Sequence, residues 1–182
     1  MDVTHTRMTT AEYMAMPDDG KRYELHDGVL VEMPSASMLH NWIIVVLLRT
    51  LSALVIDQKL GYLAGDGLDY ILDDGVVLKP DVSYMANVFP PFVTHPKIAP
   101  DLAVEVLSSS NSASEISYKV NTYLGYGSRL VWIIDPQQKI VTVYQPGPES
   151  SIIVRVLKID DTLTGGDVLP NFRLSVRELF EA

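Results

Sequence analysis

The chain has 182 residues, a formal net charge of -9 from 14 Lys+Arg against 23 Asp+Glu, and no cysteine. That length reads as a single domain over 1–182 whose core needs no stapling; the missing cysteines exclude disulfides, thiolate zinc sites and cysteine nucleophiles. The acidic balance repels polyanions, so a nucleic-acid partner requires a local patch, a metal, a dimer or a partner chain.

In chain order, the first twenty residues contain no apolar h-region, so no signal peptide is expected, and a cysteine-free chain suits the cytoplasm. Thr9-Thr10-Ala11-Glu12 has the spacing of a capping box and predicts a short helix closed by Pro17 and the turn Asp18-Asp19-Gly20. Tyr23-Glu24-Leu25 and Val29 to Met33 flank Asp27-Gly28, a hairpin signal. After capping candidates Ser35 and Ser37, apolar residues at helical spacing predict a helix from about His40 to Gln58, apolar nearly all round and lying on the core. Its unbroken apolar run, Trp42 to Leu48, falls short of the ~20 residues that span a bilayer, so no membrane partner is expected.

From Gly61 the period becomes strand-like. Tyr62 to Ala64, Leu68 to Leu72, Val76 to Lys79 and Asp81 to Met85 read as a meander with a turn at Asp73-Asp74-Gly75. Pro90, Pro91, Pro96 and Pro100 make the stretch from Phe89 to Pro100 a surface loop. Leu102 to Leu107 follows as a buried strand, and Ser112 with Glu115 opens a helix whose stripe is Ile116, Val120, Tyr123 and Leu124, ending at Gly125 or Gly127. Strands at Leu130 to Ile134, Ile140 to Tyr144 and Ile152 to Ile159 come next. A turn at Gly165-Gly166 precedes a short helix with capping spacing at Ser175 and Glu178. The sum is a mixed α/β (α+β) domain with a central sheet.

Within this order Glu105 stands out, because every neighbour from Leu102 to Leu107 is apolar. A buried carboxylate needs a cation, a metal or a raised pKa. Asp101 lies four residues upstream, about 13 Å along an extended strand and too far to share an ion. Asp81 can meet Glu105 if their strands pair in the right register, although Pro80-Asp81 also suits a mere strand entry. Lys119 sits on the border of the next helix's apolar stripe; read alone it suits a snorkelling lysine, and read with Glu105 it supplies charge to a carboxylate, a phosphate or a water.

Pro80-Asp81, then Pro100-Asp101-Leu102-Ala103-Val104-Glu105-Val106-Leu107-Ser108, Lys119-x-x-x-Tyr123 and Val131-Trp132-Ile133-Ile134-Asp135-Pro136 together resemble the Uma-type endonuclease family, long grouped as a domain of unknown function. Tyr23 to Gly28 followed by His40 resembles the family's N-terminal part, and the likeness covers roughly residues 9 to 180. Through that family the chain is similar to the PD-(D/E)xK nucleases, which implies a restriction-endonuclease-like central mixed β-sheet flanked by helices. The resemblance also implies that Asp81 and Glu105 are Mg²⁺ or Mn²⁺ ligands, with the Val106 carbonyl completing the shell.

Where the superfamily pattern expects lysine two residues after the glutamate, this chain has Leu107, and the resemblance moves that role to Lys119. Glu115 stands where Asp is common in the group, and Arg129 where an acidic residue is. Glu24 reads as a further carboxylate of the site or a solvated hairpin residue, and His40 as a capped, satisfied histidine or a site-edge residue. The expected function is metal-dependent hydrolysis of phosphodiesters with Asp81, Glu105 and Lys119 as catalytic residues, on DNA rather than RNA, in a homo-oligomer. The alternative is a catalytically silent binding or assembly module on the same fold.

Overall fold

The computed structural model describes residues 7–181 apart from 66, 90 and 92; the N-terminal residues before Arg7, and with them part of the region read for a signal peptide, lie outside it, as does Pro90. Helix α1 (Thr10–Met14) carries the predicted capping box, with Thr9 accepting from the Glu12 N–H and the Glu12 side chain reaching back to the Thr9 backbone. Strands β1 (Tyr23–His26) and β2 (Val29–Glu32) form the expected hairpin. Its turn puts Asp27 at φ 49° and Gly28 at φ 80°, the left-handed pair that matches strand twist in a two-residue loop.

Helix α2 (Met38–Val55) begins two residues earlier and ends three earlier than its periodicity suggests, because Ser37 rather than a later residue caps it by accepting from the His40 N–H. Burial all round does not hold. Ile43, Ile44, Val46, Leu47, Leu51 and Val55 enter the core, whereas Met38, Leu39, Trp42 and Val45 face outward. By length and composition α2 is apolar enough to cross a membrane, but here its inner face packs on strands β3 (Gly61–Ala64), β6 (Val82–Ala86) and β7 (Leu102–Val106).

The expected meander is also corrected. β3 pairs antiparallel with β6, while β4 (Tyr70–Asp73) and β5 (Val76–Leu78) form a hairpin that joins β1 and β2 in a separate four-stranded sheet, ordered β2-β1-β5-β4. Each strand is short and apolar on one or both faces, so periodicity alone left its partner open. Pro80 ends the chain's run in the small sheet and passes it to β6 of the main one.

The main sheet has six strands, ordered β10-β9-β8-β7-β6-β3, with β8 at Leu130–Asp135, β9 at Ile140–Pro146 and β10 at Ile152–Leu157. It is mixed: β7 and β8 are parallel and every other adjacent pair is antiparallel. The parallel step is bridged by α3 (Ala113–Gly125), capped by Ser112. One face of the sheet packs on α2 through Val104, Val106, Trp132 and Ile134. The other packs on α3 through Ala103, Val131 and Ile133 with Val120 and Tyr123.

The C-terminal region adds a ribbon that the sequence reading omits, β11 (Thr162–Gly165) with β12 (Leu169–Ser175), turning at Gly165-Gly166. Leu163, Leu169, Phe172 and Leu174 close the α2 side of the core. Ser175 precedes α4 (Val176–Phe180) without making the side-chain cap its spacing suggests, since α4 continues directly from β12.

Candidate active site

Register decides the site. β6 and β7 pair antiparallel with Val82 opposite Val104, so Asp81, just before β6, comes opposite Glu105. The Asp81 N–H donates to the Val104 carbonyl at 3.0 Å, and Asp81 Oδ2 accepts from the Val106 N–H at 2.7 Å. The Val106 amide therefore faces Asp81 beyond the end of β6, and in an extended strand the carbonyl of the same residue points to the same side. Asp81 is more than a strand-entry cap; it is 5% exposed and holds the β7 backbone.

Glu105 projects from the opposite face to Val104 and Val106, toward α3. It is 7% exposed, and both its oxygens are engaged: Oε2 accepts from Lys119 Nζ and Oε1 from the Tyr123 hydroxyl, each at 2.7 Å. Lys119 and Tyr123 are one helical turn apart on α3, so both meet the same strand. Lys119 is not a snorkelling side chain. Its ammonium is buried and shared between Glu105 at 2.7 Å and Glu24 at 2.9 Å.

Glu24 comes from β1, in the smaller sheet, and is 1% exposed. Its Oε1 also accepts from the Lys79 N–H at 2.8 Å, and its Oε2 lies 2.9 Å from His26 Nε2, whose ring stacks on Tyr118. The solvated-hairpin reading of Glu24 therefore fails, since β1 is covered by α3 rather than by water. His40 lies at the edge of the site: its backbone N–H donates to Ser37 Oγ, and its ring Nε2 lies 3.3 Å from Asp81 Oδ1. Asp101, excluded from this cluster by distance, accepts from the Ala86 N–H and pairs with Arg129 at the other end of β7.

The electrostatics follow from crowding acids in a dry place. Burial pushes the Glu105 carboxyl up; Lys119 offsets part of this, Glu24 and Asp81 add to it, and the result is a pKa of about 8. Burial opposes the charge of Glu24 too, yet Lys119, His26 and the Lys79 N–H outweigh it and hold that carboxyl below its ordinary value. Burial also works against the Lys119 ammonium, but Glu105 and Glu24 dominate and raise its pKa. Tyr123 is raised by burial and then by the two glutamates, so it stays a hydrogen-bond donor.

Asp81, Glu24, Glu105, Lys119, His40 and the Val106 backbone line one cavity of about 40 Å³, room for a few waters or an ion with water. Its rim adds Arg22, Ser108, Asn111 and Glu115, with the segment Met33 to Ala36 across the mouth. The set offers the hard oxygen donors a divalent cation takes, the Asp81 and Glu105 carboxylates and the Val106 carbonyl, and a dication there would draw off the proton that burial leaves on Glu105. Among the described residues no three His, Cys, Asp or Glu side chains converge on a common point. An ion would therefore rest on the Asp81 and Glu105 carboxylates, the Val106 carbonyl and water, which suits Mg²⁺. Glu24, already committed to Lys119, His26 and Lys79, serves the lysine instead.

The sequence reading gave no role to His26, Arg22 or the hydroxyl of Tyr123, although it quoted Tyr123 in the Lys119-x-x-x-Tyr123 run. Alternation of Arg22, Glu24 and His26 along β1, and the one-turn spacing of Lys119 and Tyr123, were the available signals.

The fold is a mixed sheet flanked by helices, with Asp81 and Glu105 at adjacent strand ends and Lys119 reaching Glu105 from α3. Residues 10–177 match the Uma2 family, described as "Putative restriction endonuclease", and the chain belongs to it. The fold is similar to that of a solved structure described as a putative nuclease belonging to DUF820 from Anabaena variabilis, with TM-score 0.83 and 22% identity over 95% of this chain and 97% of that one. No curated protein matches the chain.

Proposed function

We propose that this protein is a metal-dependent endonuclease that hydrolyses phosphodiester bonds, with DNA as its substrate. One observation carries the reading: Asp81 stands opposite Glu105 across β6 and β7, with Lys119 clamped on Glu105. Asp81, Glu105 and the Val106 carbonyl would hold Mg²⁺ or Mn²⁺, which when bound supplies charge at the scissile phosphate and acidifies a water.

The chain's own groups do the rest. Lys119, the buried cation beside Glu105, orients the attacking water or offsets the charge that develops on phosphorus-bound oxygens. Glu24 holds the lysine from its far side, and Tyr123 fixes the Glu105 oxygen that Lys119 does not use. Arg22 lines the same cavity and adds positive charge there. Such local positive charge is needed, because the whole chain carries -9. We place the protein in the cytoplasm and infer that it works as a homo-oligomer.

The test is cleavage of supercoiled plasmid, linear duplex, single-stranded DNA and RNA with Mg²⁺ or Mn²⁺, using wild type, Glu105→Gln and Lys119→Ala. Metal-dependent nicking of DNA that both variants lose is expected. Metal binding without cleavage of any substrate would instead establish the binding-module reading.

A further inference from the structure

β10 closes one end of the main sheet, and among the described residues its outer side has no strand partner. Sheet edges are ordinarily guarded by proline, a bulge, inward charges or a covering segment. Other edges here show such cover: β3 packs on α2, β2 carries Glu32 paired to Lys21, and the Ile71 N–H of β4 bonds the Pro96 carbonyl. β10 reads Ile-Ile-Val-Arg-Val-Leu without proline or bulge, and Ile152, Ile153, Val154 and Val156 are 39%, 45%, 50% and 54% exposed.

The ladder on its inner side fixes which backbone groups are open. Pro146, which has no N–H, lies opposite Ile152, and the Gly147 N–H donates to the Ser151 carbonyl. By antiparallel alternation Ile153, Arg155 and Leu157 bond β9, so the N–H and C=O groups of Ile152, Val154 and Val156 point to the open side.

We propose that β10 pairs antiparallel with β10 of a second copy about a twofold axis at Val154, joining two six-stranded sheets into one. Twofold symmetry keeps like faces together, so paired positions share parity. Val154 then lies opposite its counterpart, Ile152 opposite Val156 and Arg155 opposite Ile153. A ladder centred on Arg155 would set like charges face to face and is disfavoured.

Charge and area support a second copy as the occupant. Between Ser150 and Ile159 the chain has no acidic residue, so the ladder sets no carboxylates face to face, and Arg155 lies opposite Ile153 rather than its counterpart. On the α3 side, a groove of about 320 Å³ lined by Ile116, Val120, Tyr144, Ile152 and Val154 adds apolar surface next to the ladder. Six half-exposed residues and this groove on each copy bury roughly 1,000 Å² in total, the threshold a biological interface clears. The edge lies apart from the Glu105 cavity, so this inference stands or falls separately from the nuclease reading.

Sedimentation and light scattering on the full chain at about 10–100 µM should give twice the 20.2 kDa protomer, and Val154→Lys, placing like charges across the axis, should give the monomer with unchanged circular dichroism. Because the chain has no cysteine, Val154→Cys should oxidise to a covalent dimer. Arg155→Cys should not, since in this register its counterparts lie beyond the ~7 Å Cα limit for a disulfide. A monomer at 100 µM, a dimer that survives Val154→Lys, or equal crosslinking at both positions would overturn the proposal.

Discussion

At the scale of single residues, the site is a competition for one carboxylate. Glu105 accepts from Lys119 and Tyr123 while Glu24 and Asp81 repel its charge, and burial brings its pKa to about 8 from 4.5. A group whose folded pKa is raised stabilises the fold below its unfolded value and loses that contribution as pH rises through the folded one. The metal-free protein should therefore lose stability between about pH 5 and pH 8 on account of Glu105. Glu24, held below its ordinary value, acts in the opposite sense and weakens the fold as pH falls; Lys119 acts only at alkaline pH. Comparing melting temperatures of wild type and Glu105→Gln isolates the first effect: the wild type's relative stability should decline by several degrees from pH 5 to pH 8.5. A pH-independent difference would show that Glu105 does not hold its proton in this range.

At the scale of elements, α3 is the part that converts sequence spacing into a site. Its N-terminus is set by Ser112, which accepts from the Glu115 N–H at 3.2 Å, and one face then delivers Lys119 and Tyr123 to β7. Ser112→Ala should cost about 1 kcal/mol, as loss of an N-cap ordinarily does, lowering Tm by roughly 2–4 °C in a protein of this size. Calorimetry showing no change would mean that packing of Val120 and Tyr123 alone fixes the start of the helix. The same helix explains what was hard to read in the sequence. Lys119 on the margin of an apolar stripe looks like a snorkelling lysine until β1 is known to bring Glu24 over it, and β1 is distant in sequence. In α2, by contrast, apolar composition overstated burial, because periodicity reports a helix without saying how much of its girth the sheet covers.

At the scale of the whole molecule, a dication bound between Asp81 and Glu105 would oppose the burial and repulsion that keep Glu105 protonated, and so would couple metal binding to stability. A ligand bound only by the folded state adds about 2.7 kcal/mol at a hundredfold excess over Kd. Mg²⁺ or Mn²⁺ should raise the wild-type Tm accordingly, with the gain absent in Asp81→Asn and Glu105→Gln. Equal shifts in all three would remove the metal from this site. Of the architecture, the caps at Thr9, Ser37 and Ser112, the hairpin turn and the buried β7 strand were legible because local backbone chemistry determines them. The split into two sheets and the β11–β12 ribbon were not, since short apolar strands do not name their partners.

The sequence by itself determined that Glu105 lies in an apolar strand and needs a partner, and it named Asp81 and Lys119 as candidates while leaving a strand-entry cap and a snorkelling lysine open. Only the tertiary structure decided how those partners divide. β6 and β7 register put Asp81 opposite Glu105, and the smaller sheet carried Glu24 to the far side of Lys119. The physical reason is that burial and turn chemistry are written in neighbouring residues. The sharing of one cation between two carboxylates depends on distances between segments that are far apart in the chain.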